Sequence, residues 1–321
     1  EEVGTVDRLQ KLYLLTYADI STVGPGTWND WKARLLRELY EKTLAVLAAG
    51  ERRPEPGIAE AAGRAEAARE LAGRANPVDV DRFVAAMPPR YFLTEEPGRA
   101  PTHLRLLRRG RSGAVATYLR CRPRLGHCEL TLTAPDRPGL LATIAGVLAA
   151  HRIDIQHAEV FSTAVDGSLD WLAQRALDVF EVRGPEGGAV ERDRWRAARS
   201  DLRRVLSGEE ALDDLMARRL RASNLARKPL PALKTKVVID NASARGHSVI
   251  DVFTADRVGL LHTLAKTLFD LGLSVDLARI STEGHRALDA FYVRTADGQR
   301  LEGEGAQRVV EAIHQALART T

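Results

Sequence analysis

Hydrophobic positions in the first part of the chain recur at helical spacing. Leu9, Leu12, Tyr13 and Ala18 form one stripe, and Trp28, Trp31, Leu35, Leu36 and Leu39 form a second, each predicting an amphipathic helix whose apolar face is core. Residues 58–74 predict an Ala-, Glu- and Arg-rich helix closed by prolines and glycines on either side. Asn76-Pro77 opens a further short helix, which Pro88-Pro89 ends. The period then changes to two. Cys128-Leu130-Leu132 predicts a strand, Leu141-Ile144-Ala145-Leu148 a helix and Ile153-Ile155 a second strand. Val249-Asp251-Phe253, Leu261-Leu264-Ala265-Leu268 and Leu273-Val275 repeat that order. Further strands are expected at about 176–183 and 287–294, amphipathic helices at about 190–206 and 304–318, and leading strands at about 113–120 and 235–240.

The two halves of this pattern are copies of one another. Residues 134–148 read APDRPGLLATIAGVL and residues 254–268 read TADRVGLLHTLAKTL, at a constant offset of 120. The offset holds through Ala158/Ala278 and falls to 111 at Asp178/Asp289 and Phe180/Phe291, so the first copy carries nine extra residues, expected as a longer hairpin loop near Gly167 to Arg175. Each copy therefore predicts four strands and two helices, an α+β ferredoxin-like antiparallel sheet with helices on one face. Because the second copy ends on its helix, its fourth strand must come from around Val237 to Asp240. The expected organisation is helical over 1–111, a first sheet domain with linker over 112–233 and a second over 234–321.

Composition narrows the function classes. A length of 321 residues, at about 150 per domain, suggests two domains or three small ones. Hydrophobic residues at 45% and charged residues at 28% exclude a disordered or fibrous chain. Lys plus Arg at 47 against Asp plus Glu at 43 leaves a net charge of +4, with arginines such as Arg64, Arg69 and Arg74 set on helix faces, so neither nucleic acid nor membrane is an expected partner. No apolar run approaches eighteen residues and no signal peptide opens the chain, which reads as cytoplasmic. The chain has no initiating Met and reads as a piece of something longer. Cys121 and Cys128 bracket a turn and could face each other across a hairpin; in a reducing compartment they are expected as structural thiols.

The repeated D-R-x-G-L-L segment, Asp136, Arg137, Gly139, Leu140 and Asp256, Arg257, Gly259, Leu260, sits where a strand turns into a helix. Glycine there lets a ligand backbone approach, and the N–H groups of the first helical turn suit a carboxylate. One copy alone would read equally well as an ordinary helix start; two at the same place favour a site. Pro138 suits an early helical position, whereas the second copy has Val258. The histidines, among them His127, His151, His157 and His262, are scattered, and the motifs of zinc peptidases, P-loops and nucleophile elbows are absent.

The motif pair, followed by I-x-x-A-x-[VI] and L-D-x-F-x-V, resembles two tandem ACT domains, small amino-acid-sensing modules. LYLLTYADI at 12–20, GPGTWNDWK at 24–32 and LLRELY at 35–40 resemble the end of an HD domain of the bifunctional PII uridylyltransferase and uridylyl-removing enzymes. RYFLT at 90–94 and KVVIDN at 236–241 resemble that family's connecting segments. The resemblance implies a longer enzyme in which a nucleotidyltransferase domain moves UMP from UTP to the signalling protein PII, a Mg2+- or Mn2+-dependent HD domain removes it, and the ACT pair senses glutamine. It assigns Asp136, Arg137, Gly139, Leu140, Asp256, Arg257, Gly259 and Leu260 to glutamine binding. It matches Asp19 to the last ligand of an HD metal site whose other ligands this chain lacks, so the chain is expected to be inactive alone. Self-association through ACT modules is a further expectation, and a stand-alone, non-enzymatic ACT-repeat sensor is the alternative reading.

Overall fold

The computed structural model describes residues 6–22, 36, 39–40, 43–44, 56–111, 114–163, 174–185, 187–222, 233–241, 246–283 and 286–319. The chain divides into two compact units, Glu1–Ala65 and Glu66–Thr321. In the first, α1 (Val6–Thr22) buries Leu9, and the rings of Tyr13 and Tyr40 meet with centroids 4.9 Å apart. The Trp28-Trp31-Leu35 stripe lies outside the described residues. Helix α2 (Pro56–Leu71) passes the boundary and places Ala67 and Leu71 in the core of the second unit.

A helical connector follows. Asn76 caps α3 (Pro77–Ala86) by accepting a hydrogen bond from the Val78 N–H, with Pro77 in the first turn where its missing donor costs nothing. The single turn α4 (Tyr91–Thr94) and the helix α5 (Ala100–Gly110) complete it. Ala100, His103, Leu104 and Leu107 line the buried side of α5, a stripe at helical spacing that sequence reading left unassigned.

The strands β1 (Ala116–Arg122), β2 (His127–Pro135), β3 (Asp154–Ser162) and β4 (Arg175–Arg183) form one antiparallel sheet of order β1-β2-β4-β3. Helix α6 (Leu140–Ala150) joins β2 to β3, and α7 (Arg192–Leu206) and α8 (Leu212–Ala222) follow β4. The second sheet, β5 (Lys236–Asp240), β6 (Ser248–Ala255), β7 (Ser274–Glu283) and β8 (Arg286–Arg294), has the same order, β5-β6-β8-β7, with α9 (Leu260–Asp270) and α10 (Gly303–Arg319). The expected origin of the second copy's fourth strand is thus observed in β5. Helix α8 was not expected, and the nine-residue excess of the first copy falls on residues largely outside the described ones.

One expectation is corrected. Cys121 and Cys128 are directly opposed in the β1–β2 register and are joined as a disulfide, so they are not free thiols. The facing was legible in their spacing round a turn; the bond was discounted on the assumed compartment.

The two sheets share a single hydrophobic core. β3 lies beside β7 and α6 packs on α9, and buried residues from both copies, including Leu130, Phe180, Ile250 and Phe291, form one continuous cluster. A second cluster covers the opposite face of the first sheet, where the connector sets Phe83, Tyr91, Phe92, Leu104 and Leu107 against Phe161, Leu177 and Val179.

Candidate functional site

Each repeat turns from strand into helix through a glycine in the left-handed region: Gly139 at φ 77° and Gly259 at φ 87°. A side chain is strained in that conformation, which accounts for the residue type at both places. The turns close identically. The Leu140 N–H donates to the Arg137 carbonyl and the Leu260 N–H to the Arg257 carbonyl, while Thr143 and Thr263 each donate from backbone N–H and hydroxyl to the carbonyl of their glycine. Neither α6 nor α9 has a side-chain cap, and the Leu140 and Leu260 N–H groups are taken up within their own turns.

The seam between the copies makes these turns unequal. A small cleft of about 20 Å3 lies at the Gly259 turn and is lined by Asp256, Arg257, Leu260 and Asp289 of the second copy and by Ala149, Asp154 and Ile155 of the first. That volume is room for about one water, well below the range for metabolite sites. A Cβ at Gly259 would stand 3.6 Å from the Ala149 methyl. At Gly139 a Cβ would stand 3.1 to 3.3 Å from three ring carbons of Phe269, so the ring packs closely on that turn. Asp136 and Arg137 are exposed, whereas Asp256 and Arg257 are half-buried and the Arg257 guanidinium donates to the Leu317 carbonyl at 3.2 Å.

Three carboxyl groups meet in the Gly259 cleft. Asp289 is 2% exposed. Burial, with the Asp256 carboxylate beside it, pushes the Asp154 carboxyl up to about 6, against the pull of Arg183, the Ile155 N–H and the Gln156 amide. The Gln156 amide donates to Asp154 at 2.6 Å. In the first copy the counterpart of Asp289 is Asp178, fully enclosed, where burial, followed by the Asp136 charge, raises its pKa well above the usual value. His262 also lines the cleft; its Nδ1 lies 2.8 Å from the Ala142 carbonyl, a hydrogen bond across the α6–α9 seam, in keeping with a packed rather than ligating histidine.

Chemically, the N-terminus of a helix suits a carboxylate, and a group of carboxylates suits an ammonium group. The acids also disfavour a ligand side chain that is itself anionic.

Of the residues the sequence singled out, Asp256, Arg257, Gly259 and Leu260 line the cleft and Gly139 faces Phe269. Asp19 lies on the exposed side of α1, and among the described residues no three His, Cys, Asp or Glu side chains converge as a metal centre requires, so the described residues do not fit a Mg2+ or Mn2+ site. Asp154, Ala149 and Phe269 were missed. The signal was available in the repeat, since at an offset of 120 Ala149 corresponds to Phe269 and Asp154 to Ser274. No helix among the described residues is long and apolar enough to cross a membrane.

Comparison with known proteins agrees with this architecture. Residues 129–188 match the ACT domain. Bifunctional uridylyltransferase/uridylyl-removing enzymes are similar along most of the chain: that of Rhodospirillum rubrum is 33% identical over 99% of the chain, that of Caulobacter vibrioides (strain NA1000 / CB15N) 37% over 93%, and that of Azospirillum brasilense 34% over 98%. The chain spans 33%, 31% and 33% of those relatives, about a third of their length. A crystal structure of aspartate kinase from Synechocystis is 20% identical, with a TM-score of 0.31 over 60% of this chain and 27% of that one, a likeness on which nothing here rests. The chain is, over nearly its whole length, a relative of one third of the bifunctional uridylyltransferase/uridylyl-removing enzymes, and it contains an ACT domain.

Proposed function

We propose that this chain is the regulatory portion of a bifunctional enzyme that transfers UMP from UTP to PII and removes it again, and that its two copies form an ACT pair that senses glutamine in nitrogen regulation. The observation that carries the family half of this reading is the 33% identity over 99% of the chain to a relative of that name. The sensing half is supported by the cleft at the seam, whose helix start and acids complement an amino-acid zwitterion. Glutamine, whose side chain is a neutral amide, suits a site rich in carboxylates; glutamate adds a charge of the same sign. A ligand with different affinities for two arrangements of the pair would shift transfer against removal by the difference between those affinities. Metal-dependent transfer and removal belong, in this reading, to parts of the enzyme beyond the matched third, where Mg2+ or Mn2+ would act.

Calorimetric or fluorescence melting of the 321-residue chain with added amino acids tests the sensing half. L-Glutamine at a hundredfold excess over its dissociation constant should stabilise the chain by about 2.7 kcal/mol, with much less effect from L-glutamate. An equal shift from both, or from neither, contradicts it.

A further inference from the structure

We propose that the outer edge of the first sheet is a docking site for an acidic peptide, which adds to β1 as a further strand. Beside β1 lies an open groove of about 480 Å3, walled on its other side by α7 and far roomier than the cleft at the Gly259 turn. Thr117, Leu119 and Cys121 line it from the strand, at the spacing of one strand face, and Arg192, Trp195 and Arg199 line it from the helix. Positions i, i+3 and i+7 share one side of a helix, so the indole stands between two arginines whose Cα atoms are about 10.5 Å apart along the axis.

Three observations select the occupant. β1 ends the order β1-β2-β4-β3, so among the described residues its outer N–H and C=O groups have no strand partner, and an extended backbone completes such a row. The groove is also cationic: Arg192 and Arg199 are exposed, neither is in an ion pair among the described residues, and no carboxylate lines the groove. The nearest acids in sequence, Glu191 and Asp193, are taken up by Arg194 and Arg196. Such a wall selects carboxylates. Leu119 and Trp195, half-buried against the core, supply apolar surface for the alternate side chains of an added strand.

The repeat is the control. At the offset of 111, Arg192, Trp195 and Arg199 become Gly303, Ala306 and Val310 of α10, and at 120 Leu119 becomes Ile239. The framework is nevertheless kept, since the Val190 N–H donates to Cys128 Sγ in the first copy as the Leu301 N–H donates to Ser248 Oγ in the second. The second copy thus builds the same edge without the charges or the ring, so the fold does not require them.

Fluorescence anisotropy with the 321-residue chain and a labelled heptapeptide of alternating glutamate and valine tests this, with far-UV spectra as the folding control. The unmodified chain should bind it, and a peptide with lysine in place of glutamate should bind at least roughly tenfold more weakly. Arg192→Gln combined with Arg199→Gln, both exposed, should weaken binding by roughly tenfold, and Trp195→Ala by a similar factor. Methylating the backbone nitrogens of alternate peptide residues, in each of the two registers, should abolish binding in one and spare it in the other, because one edge of an added strand faces β1. No binding to the unmodified chain, equal binding of the lysine peptide, undiminished binding by the folded arginine variant, or indifference to methylation in both registers would overturn the proposal. Complete displacement of the peptide by tripolyphosphate at equal concentration would make the groove a small-anion site, and a dimer that dissociates in the arginine variant would give β1 to a second copy. Either result also overturns it, and none of these outcomes bears on glutamine sensing.

Discussion

Asp154 shows what a buried carboxyl costs the fold. Its carboxyl is pushed up to about 6 chiefly by burial, then by Asp256, so keeping it ionised at neutral pH costs folding free energy. A group whose folded pKa is raised contributes its stability fully below the unfolded value, here 3.8, and loses it as pH rises through about 6. Asp154→Asn should therefore raise the melting temperature at pH 7.5 and have little effect at pH 3.5, while weakening glutamine. For the same reason glutamine affinity in the unmodified chain should fall as pH drops below about 6 and Asp154 takes up its proton, and the asparagine variant should lack that component. A titration series from pH 5 to 8 checks both; a flat profile in the unmodified chain would remove Asp154 from the site. Glu95 repeats the logic away from the cleft. Burial, with Glu159 and Glu129 nearby, lifts it to about 8 despite the Arg99 guanidinium 3.3 Å away. Its contribution is complete below 4.5 and lost as pH rises through about 8, so Glu95→Gln should be more stable than the unmodified chain at pH 9 and nearly equal to it at pH 4. Urea midpoints at the two pH values would show this, and a variant less stable at pH 9 would contradict it.

At the scale of elements, the connector joins what the repeat alone would leave separate. Its apolar side covers the first sheet, Arg99 bonds Glu129 of β2 at 2.8 Å, and the Arg90 guanidinium lies 5.6 Å from the Tyr292 ring centroid in the second sheet. It therefore touches both members of the pair on the face opposite the seam helices. Phe83, fully buried between α3 and the Tyr91 ring, should cost about 3–5 kcal/mol when replaced by alanine, read as a lower urea midpoint. A loss below about 1 kcal/mol would mean that the connector is not part of the same cooperative core. Behind α6, Asp201 of α7 accepts from Arg219 of α8 and lies 2.9 Å from His151, fastening both helices to the end of the helix that leads into Asp154.

These two scales also show what the sequence could disclose. The element order, β5 as the borrowed strand, the glycine turns and the Asn76 cap were legible because local period, turn chemistry and a constant offset dictate them. Helix α8 was missed because its polar residues, such as Asp213, Asp214, Arg218 and Arg219, hide a short apolar stripe. The contrast between Ala149 and Phe269 was visible as letters, yet its meaning depends on β3 lying beside β7, a relation between distant segments that no local pattern encodes.

For the whole molecule, the proposed reading is that of a regulatory piece of a larger enzyme, one third of whose length this chain matches. In that reading the chain, incubated with Mn2+ and uridylylated PII, should release no UMP, since transfer and removal are assigned to parts of the enzyme beyond the matched third. Sustained turnover by a clean preparation would contradict that. The central claim is that glutamine binds across the seam, and a crystal structure of the chain with L-glutamine tests it most directly. The account predicts glutamine at the seam between the two copies, in contact with residues of both. Glutamine bound away from the seam would contradict it.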